Sequence, residues 1–118
     1  MKQFHVHIYF EAKDLEQANK LIGKARTNDL FEATKLHDRP VGPHPTGMIE
    51  LLFFQSVYNE VVDWVEENRG SLSVLIHQDS GDDFKDHTED ILWLGPKQPL
   101  DFSFFELVKI RTDLRVHQ

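Results

Sequence analysis

The chain has 118 residues, of which 40% are hydrophobic and 28% charged, and this composition predicts a single globular domain, residues 1–118, with its own core. Thirteen Lys and Arg against twenty Asp and Glu give a net charge of −7, which argues against binding a nucleic-acid backbone. The absence of Cys excludes disulfides, thiolate catalysis and iron–sulfur clusters, so any metal must be held by nitrogen and oxygen.

The N-terminal residues give an expectation of location. Residues 1–3 lead straight into an alternating strand rather than into the apolar region of a signal peptide. No apolar run approaches the roughly 20 residues that span a bilayer. We therefore expect a cytoplasmic protein that does not contact a membrane.

The first predicted strand, residues 4–10, separates two kinds of side chain. Because successive side chains of a strand point to opposite sides, Phe4, Val6, Ile8 and Phe10 share one face, whereas His5, His7 and Tyr9 share the other. Two His at positions i and i+2 lie about 6.6 Å apart along a strand, close enough to converge on one cation. The strand indicates a core on one side and a metal site on the other.

A helix and a hairpin of strands are predicted next. Apolar residues at helical spacing predict a helix over about 14–27, with Asp14 as N-cap and Gln17 completing a capping box. A weakly patterned strand over 31–37 suits a sheet edge, and residues 48–54 form the third strand. The connecting loop, residues 38–47, contains three prolines and two glycines that fix an irregular backbone.

The second half repeats the pattern. Ser56 is predicted to cap a helix that ends at Asn68 with Gly70 at the C′ position, and residues 72–77 form the fourth strand. An acidic, turn-rich loop follows over 79–90, then a short strand over 91–94 and a tail over 100–118 whose structure the sequence does not define.

The order strand, helix, strand, strand, helix, strand predicts an α+β, ferredoxin-like βαββαβ fold with an additional C-terminal segment. Both helices lie on one face of an antiparallel sheet, and the other face is expected to be uncovered. By analogy with this fold, the strand order is 4-1-3-2, with the first strand between the fourth and the third.

That order brings four candidate metal ligands to one surface. Alternation sends His77 of the fourth strand and Glu50 of the third to the face that carries His5 and His7. Imidazoles with a carboxylate suit Fe(II), Mn or Zn. The alternatives are that these His are simply solvated, and that Glu50 orients an imidazole instead of binding metal.

Three other residues are candidates for catalysis. His44 lies between two prolines on the stiff loop, which would hold it in place, although it can also be an exposed loop residue. His87 follows Asp86, which could position it, or it can begin a helix in the acidic loop. Tyr9 can donate a hydrogen bond to a bound oxygen, but strand aromatics more often only pack.

The remaining candidates have ordinary explanations beside the functional ones. The Arg39 guanidinium suits a substrate carboxylate, but Asp38 next to it offers an ion pair. His37 and His117 receive no functional role. The aromatic residues of the tail are expected to be core or interface rather than a substrate cage: Phe102, Phe104 and Phe105.

Several ordered motifs resemble the DOPA 4,5-dioxygenase family of fungi and bacteria over about residues 4–103. They are His5-Val6-His7-Ile8-Tyr9-Phe10, the loop from His37-Asp38-Arg39-Pro40 to Val41-Gly42-Pro43-His44-Pro45, Asn68-Arg69-Gly70 with Leu72-Ser73-Val74-Leu75-Ile76-His77, Gly81-Asp82-Asp83, Asp86-His87-Thr88 and Trp93-Leu94-Gly95. The sequence departs from the family pattern at Gln78 and at Asp63-Trp64, where the family usually has proline.

The resemblance implies a small ferredoxin-like protein, commonly a homodimer, that uses non-haem Fe(II) and O₂ for extradiol cleavage of DOPA or a related catechol. Zn or Mn could replace iron in a purified sample. The matching histidines are His5, His7, His44, His77 and His87. The departures from the family pattern leave the identity of the catechol undefined.

The hypothesis assigns a role to each candidate. His5, His7, His77 and Glu50 would bind the metal, and His44, or His87 in its place, would carry protons. Tyr9 would bind an oxygen, and Arg39 would hold a substrate carboxylate. Two other functions stay open: a non-catalytic dimeric module whose uncovered sheet face is the subunit interface, and a zinc-dependent hydrolase or isomerase that uses the same histidines.

Overall fold

The structure, a computed structural model, describes residues 1–103. Short 3₁₀ turns at Ala12–Asp14 and Gln55–Val57 lead into the first two helices. None of the helices in this part of the chain is long and apolar enough to cross a bilayer. In chain order the elements are Gln3–Phe10 (β1), Leu15–Arg26 (α1), Ala33–His37 (β2), Gly47–Phe54 (β3), Tyr58–Asn68 (α2), Val74–Asp79 (β4), Asp83–Asp86 (α3) and Leu92–Leu94 (β5).

The strands form one sheet in the order β2-β3-β1-β4-β5, and every neighbouring pair is antiparallel. Its first four strands have the predicted order, so the α+β, ferredoxin-like fold is confirmed. The predicted short strand over 91–94 is present as β5, which pairs with β4 and extends the sheet beyond the four-stranded pattern.

One face of the sheet, here called the helix-covered face, carries the main apolar core. Val6, Ile8 and Phe53 are fully buried there against α1 and α2, to which Ile22 and Val65 belong. These strand residues occupy alternate positions, as the period of two requires. The predicted division of the side chains between the two faces is therefore confirmed for this face.

The predicted starts of the two helices are confirmed in part. Asp14 is the N-cap residue of α1, as predicted, but its side chain makes no capping hydrogen bond. The capping box is formed by Glu11 with Asp14, across the 3₁₀ turn, and not by Asp14 with Gln17. Ser56 does not cap α2, because it lies inside the second 3₁₀ turn. A 3₁₀ turn precedes each helix, and in α2 it moves the N-cap position from Ser56 to Val57. Gly70, with φ of +60°, follows the end of α2 as predicted, in a conformation that glycine adopts without strain.

The second face of the sheet is not uncovered, contrary to the prediction. Two irregular segments lie over it: residues 38–46, here called the proline loop, and residues 80–91, here called the α3 segment. Tyr9, Met48 and Leu75 are buried on this loop-covered face, with Val41 and Trp93 packed against them. Strand alternation identifies the residues of this face but carries no information on the irregular segments that cover it.

The predicted acidic loop over 79–90 contains the short helix α3, and His87 follows this helix as its C-cap instead of beginning it. Phe102 is about half exposed, with its ring centroid 6.4 Å from that of Phe84. The predictions for Phe104, Phe105 and His117 lie outside the described residues.

Candidate metal centre

Three histidines meet on the loop-covered face because of strand register. His5 of β1 lies directly opposite His77 of β4, and His7 follows two residues later on the same side of β1. The Nε2 atoms of His7 and His77 are 2.7 Å apart. His7 and His77 are almost completely buried, at 2% and 3% exposure, although each carries two polar nitrogens.

The proline loop brings a fourth imidazole to this group. The backbone N–H of His44 donates to the Val41 carbonyl, which closes a turn and directs the side chain inward. The ring of His44 lies 4.1 Å from that of His7, and its Nδ1 is 2.7 Å from the Tyr9 hydroxyl. A loop residue is thereby held by both of its neighbours on β1.

The α3 segment supplies the fifth. Asp82 caps α3 by accepting from the Lys85 backbone N–H, and the buried Asp86 carboxylate accepts from both the backbone N–H and the hydroxyl of Ser80. These bonds hold His87 with its ring 4.1 Å from that of His77. The five residues His5, His7, His44, His77 and His87 are called the histidine cluster below.

The histidine cluster contains two trios in which one ligand atom from each residue lies within 4.8 Å of the others: His5, His7 and His77, and His7, His44 and His87. His7 belongs to both. Nitrogen ligands at such separations suit a first-row transition metal. The predicted grouping of His5, His7 and His77 on one surface agrees with the first trio.

Hydrogen bonds identify which nitrogens are available for a metal. Nδ1 of His77 lies 2.8 Å from the Gln78 carbonyl oxygen, and Nδ1 of His87 lies 2.7 Å from that of Asp83. Because a carbonyl only accepts, each Nδ1 carries the hydrogen, and the lone pair of a neutral ring is then on Nε2. Metal-ligating histidines are commonly oriented in this way, so the residues present fit a metal.

Burial also keeps three rings of the cluster neutral: His7, His44 and His77. Desolvation, reinforced by the neighbouring imidazoles, lowers the pKa of His44 and His77 to about 3 and holds the pKa of His7 well below its ordinary value. Neutral imidazole is the form that binds a metal. Burial raises the pKa of Tyr9, so its hydroxyl keeps a proton to share with His44.

The cluster forms the floor of a cavity of about 220 Å³ whose mouth is acidic. Glu50 and Asp79 line the cavity and are partly exposed, and the more exposed Asp83 also lines it. This volume is below the usual range for drug-sized ligands, which starts at about 300 Å³, and suits one small ring. Among the described residues, no Lys or Arg lines the cavity.

Two predicted site residues do not join the histidine cluster. Glu50 faces the cavity, but its Oε2 is 3.4 Å from Nε2 of His37 and it belongs to neither trio. Arg39 is on the surface, with 83% of its side chain exposed and its Nε 3.4 Å from Asp38. The structure therefore favours the ion pair that the sequence offered as the alternative for Arg39.

Sequence reasoning missed His37, which lines the cavity. His37 is opposite Met48 in the β2–β3 register, and Met48 is on the loop-covered face. Paired residues of adjacent strands share a face, so the strand pairing would have revealed it. Trp93 was also missed as part of this region; its ring stacks 5.9 Å from Tyr9.

The chain is similar to known proteins over most of its length. The model of the Dopa 4,5-dioxygenase family matches residues 4–104. Among curated proteins, the chain is 33% identical to an uncharacterised 21.2 kDa protein of Botryotinia fuckeliana over 90% of its own length, and 31% identical to the DOPA 4,5-dioxygenase of Amanita muscaria over 87%. It spans 64% and 49% of these two relatives.

A solved structure has the same architecture. The crystal structure of a candidate dioxygenase from Nostoc punctiforme PCC 73102 superposes with a TM-score of 0.78 at 31% identity, covering 92% of this chain and 94% of that one. The match covers nearly all of both chains, so it includes the sheet and the segments on its two faces.

Proposed function

The chain belongs to the DOPA 4,5-dioxygenase family, and on that premise we propose that it is a non-haem iron dioxygenase that performs extradiol cleavage of DOPA or a related catechol. The observation that carries this proposal is a buried group of imidazoles, with lone pairs fixed by backbone carbonyls, at the floor of a cavity of single-ring size. Such a floor can hold a metal, and a small aromatic ring can lie above it.

We place the metal at the trio His5, His7 and His77, which stands entirely on paired strands. Bound Fe(II) would supply Lewis-acid activation of the catechol hydroxyls and electrons for O₂. Rigid strands hold ligands more accurately than loops do. Glu50, the predicted carboxylate ligand, points to His37, so the proposed set contains nitrogen alone.

We assign the proton-carrying role to His44. Its Nδ1 partner is a hydroxyl, which can donate or accept, whereas His77 and His87 face carbonyls, which only accept. His44 can therefore adopt either tautomer, and a ring that exchanges tautomers can take a proton at one nitrogen and release one at the other. Tyr9 orients the ring and shares the proton.

His87 is the competitor for the proton-carrying role. It lines the same cavity and packs against His77, but its Nδ1 is fixed by the Asp83 carbonyl, an arrangement typical of a metal ligand. Loss of iron from the His87→Ala variant would show that His87 is a metal ligand. Retained iron with slow turnover would give it a share of the proton transfer.

Anaerobic reconstitution with Fe(II), followed by oxygen uptake with a panel of catechols, tests the proposed function. We expect uptake of O₂ together with a ring-opened product. Iron bound without uptake for any catechol would contradict dioxygenase activity, and tightly bound zinc with hydrolysis of another substrate would favour the zinc enzyme instead.

Substitutions test the assignment of roles. His77→Ala should lose both iron and ring cleavage, whereas His44→Ala should keep iron and slow turnover by about 10²-fold or more, the usual contribution of a general acid–base. His37→Ala is a matched control because it removes an imidazole from the same cavity without belonging to either trio. Full iron content in His77→Ala would remove that residue from the ligand set.

A further inference from the structure

The cavity changes character from floor to mouth. Four buried imidazoles form the floor, and carboxylates lie at the mouth on both sides of β1. Glu50 lies on β3 opposite His7, and Asp79 lies on β4, two residues beyond His77. A ring seated on the floor would hold its substituent between these two strands.

The contacts that Glu50 and Asp79 make with neighbouring histidines are long. Asp79 Oδ2 is 3.8 Å from Nε2 of His5, and Glu50 Oε2 is 3.4 Å from Nε2 of His37, both longer than good charge-assisted hydrogen bonds. About a third of each carboxylate side chain is exposed to solvent. Each can therefore accept a further donor from a ligand.

Among the described residues, no Lys or Arg lies at this mouth to balance the carboxylates. Arg39, the predicted clamp for a carboxylate, does not line the cavity and is paired with Asp38. A substrate carboxylate would approach negative side chains, with no Lys or Arg from residues 1–103 to pair with it, which is unfavourable. A cationic substituent would meet complementary charge at the same place.

We infer that Asp79 and Glu50 select catechols that carry an alkylammonium group over catechols that carry a carboxylate alone. The inference rests on the proposed function for the catechol, and the histidine cluster defines the site independently of the two carboxylates. It makes the ammonium, not the carboxylate, the group by which an amino-acid catechol is recognised.

Two catechols of nearly equal size test the inference: dopamine, which ends in an ammonium, and 3-(3,4-dihydroxyphenyl)propanoate, which ends in a carboxylate. Their affinities for the protein as purified are measured by anaerobic calorimetry, so that no turnover is needed. We expect dopamine to bind at least tenfold more tightly, and the preference to fall as salt is raised.

Variants assign the preference to residues. Asp79→Asn and Glu50→Gln keep the shape of each side chain but remove its charge, and each should reduce the preference at least threefold. Asp63→Asn on α2 is the matched control, because it removes the same charge from the opposite side of the sheet. Metal content is measured for every variant, since Glu50 is also a predicted ligand.

The outcomes separate this inference from the proposed function. Equal affinities for the two catechols, no binding of dopamine, or an unchanged preference in both variants would overturn the ammonium inference, whatever the enzyme does with O₂. A preference that disappears in Asp79→Asn while no catechol consumes O₂ would support the inference and contradict the dioxygenase. Retained preference in Asp63→Asn is expected, and its loss there would show that only net charge matters.

Discussion

The two faces of the sheet bury their side chains equally well and for different purposes. Val6 and Ile8 point to the helix-covered face and are fully buried, and His7, the residue between them, is 2% exposed on the other. Aliphatic groups gain free energy from leaving water, whereas an imidazole loses it unless its nitrogens find partners. Burial therefore stabilises the fold on the helix-covered face, whereas on the loop-covered face it costs free energy that the hydrogen bonds of the imidazoles must offset.

What covers each face explains the difference. Helices α1 and α2 present aliphatic side chains such as Ile22 and Val65 to one face. The proline loop and the α3 segment present His44 and His87 to the other. The hydroxyl of Tyr9 on β1 holds the ring of His44, and the Asp83 carbonyl holds that of His87. Helices supply packing, and irregular segments supply directed polar groups.

The largest effect is expected on the helix-covered face. Phe53→Ala removes a fully buried ring that stacks at 5.5 Å on Phe4, so the free energy of unfolding should fall by about 3–5 kcal/mol. Urea unfolding measures it. A loss below about 1 kcal/mol would show that the helix-covered face does not dominate stability.

Acid should act through the other face. In the metal-free protein, the pKa of His44 and of His77 is about 3, below the ordinary value near 6.5 that both regain on unfolding. The unfolded chain therefore takes up protons first as the pH falls below 6.5, and stability decreases with it. At pH 5 each residue should cost on the order of 2 kcal/mol.

Urea unfolding of the chelated protein between pH 7 and 5 measures this effect, above the range in which ordinary carboxyl groups titrate. His44→Gln should have a shallower dependence on pH, because one of the buried imidazoles is gone. Stability that does not change over this range would contradict the neutral burial of His44 and His77.

A smaller and more local effect is expected at Asp86. Asp86→Asn weakens the two hydrogen bonds from Ser80 that hold the α3 segment, with a cost of about 1–3 kcal/mol. Amide hydrogen exchange should increase in residues 80–88 and stay unchanged in β1. Ser80→Ala removes only the hydroxyl bond and should show a weaker form of the same change. Uniformly faster exchange would mean global destabilisation instead.

The sequence predicted the helix-covered face well because one rule governs it. Strand alternation placed Ile49, Leu51 and Phe53 inward, and helical spacing supplied the residues that pack on them. The same alternation placed His5, His7 and His77 together, once the strand order was assumed. In helices and strands, the spacing of residues along the sequence therefore predicts which side chains lie on the same face.

The rest of the site depends on loops, and loops have no period. The path of the proline loop brings His44 to Tyr9 and turns Arg39 outward. The position of edge strand β2 brings His37 to Glu50. Nor did the sequence predict that the α3 segment lies over the face, since its contacts are specific to the folded chain.

The hydrogen bond between the Tyr9 hydroxyl and His44 joins strand β1 to the proline loop. Tyr9→Phe keeps the stack on Trp93 and removes only the hydrogen bond to His44, so stability should fall by about 1 kcal/mol. Turnover should fall by about tenfold with full iron content, since His44 loses its tautomer partner. Loss of iron would instead place His44 among the ligands, and unchanged turnover would remove Tyr9 from the proton path.

The smallest effect is expected at Arg39, which shares the proline loop with His44 but has the opposite environment. Its side chain is exposed and outside the cavity, so Arg39→Gln should change stability by less than about 0.5 kcal/mol. The affinity for dopamine and for 3-(3,4-dihydroxyphenyl)propanoate should each change less than twofold. A selective loss of affinity for 3-(3,4-dihydroxyphenyl)propanoate would mean that Arg39 contacts the substrate, because only a ligand that pairs with the Arg39 charge would bind more weakly without it. We do not expect this loss of affinity, because Arg39 is on the surface. To reach the cavity, Arg39 would have to turn inward past Asp38 while His44, five residues later in the same loop, kept its hydrogen bond to Tyr9.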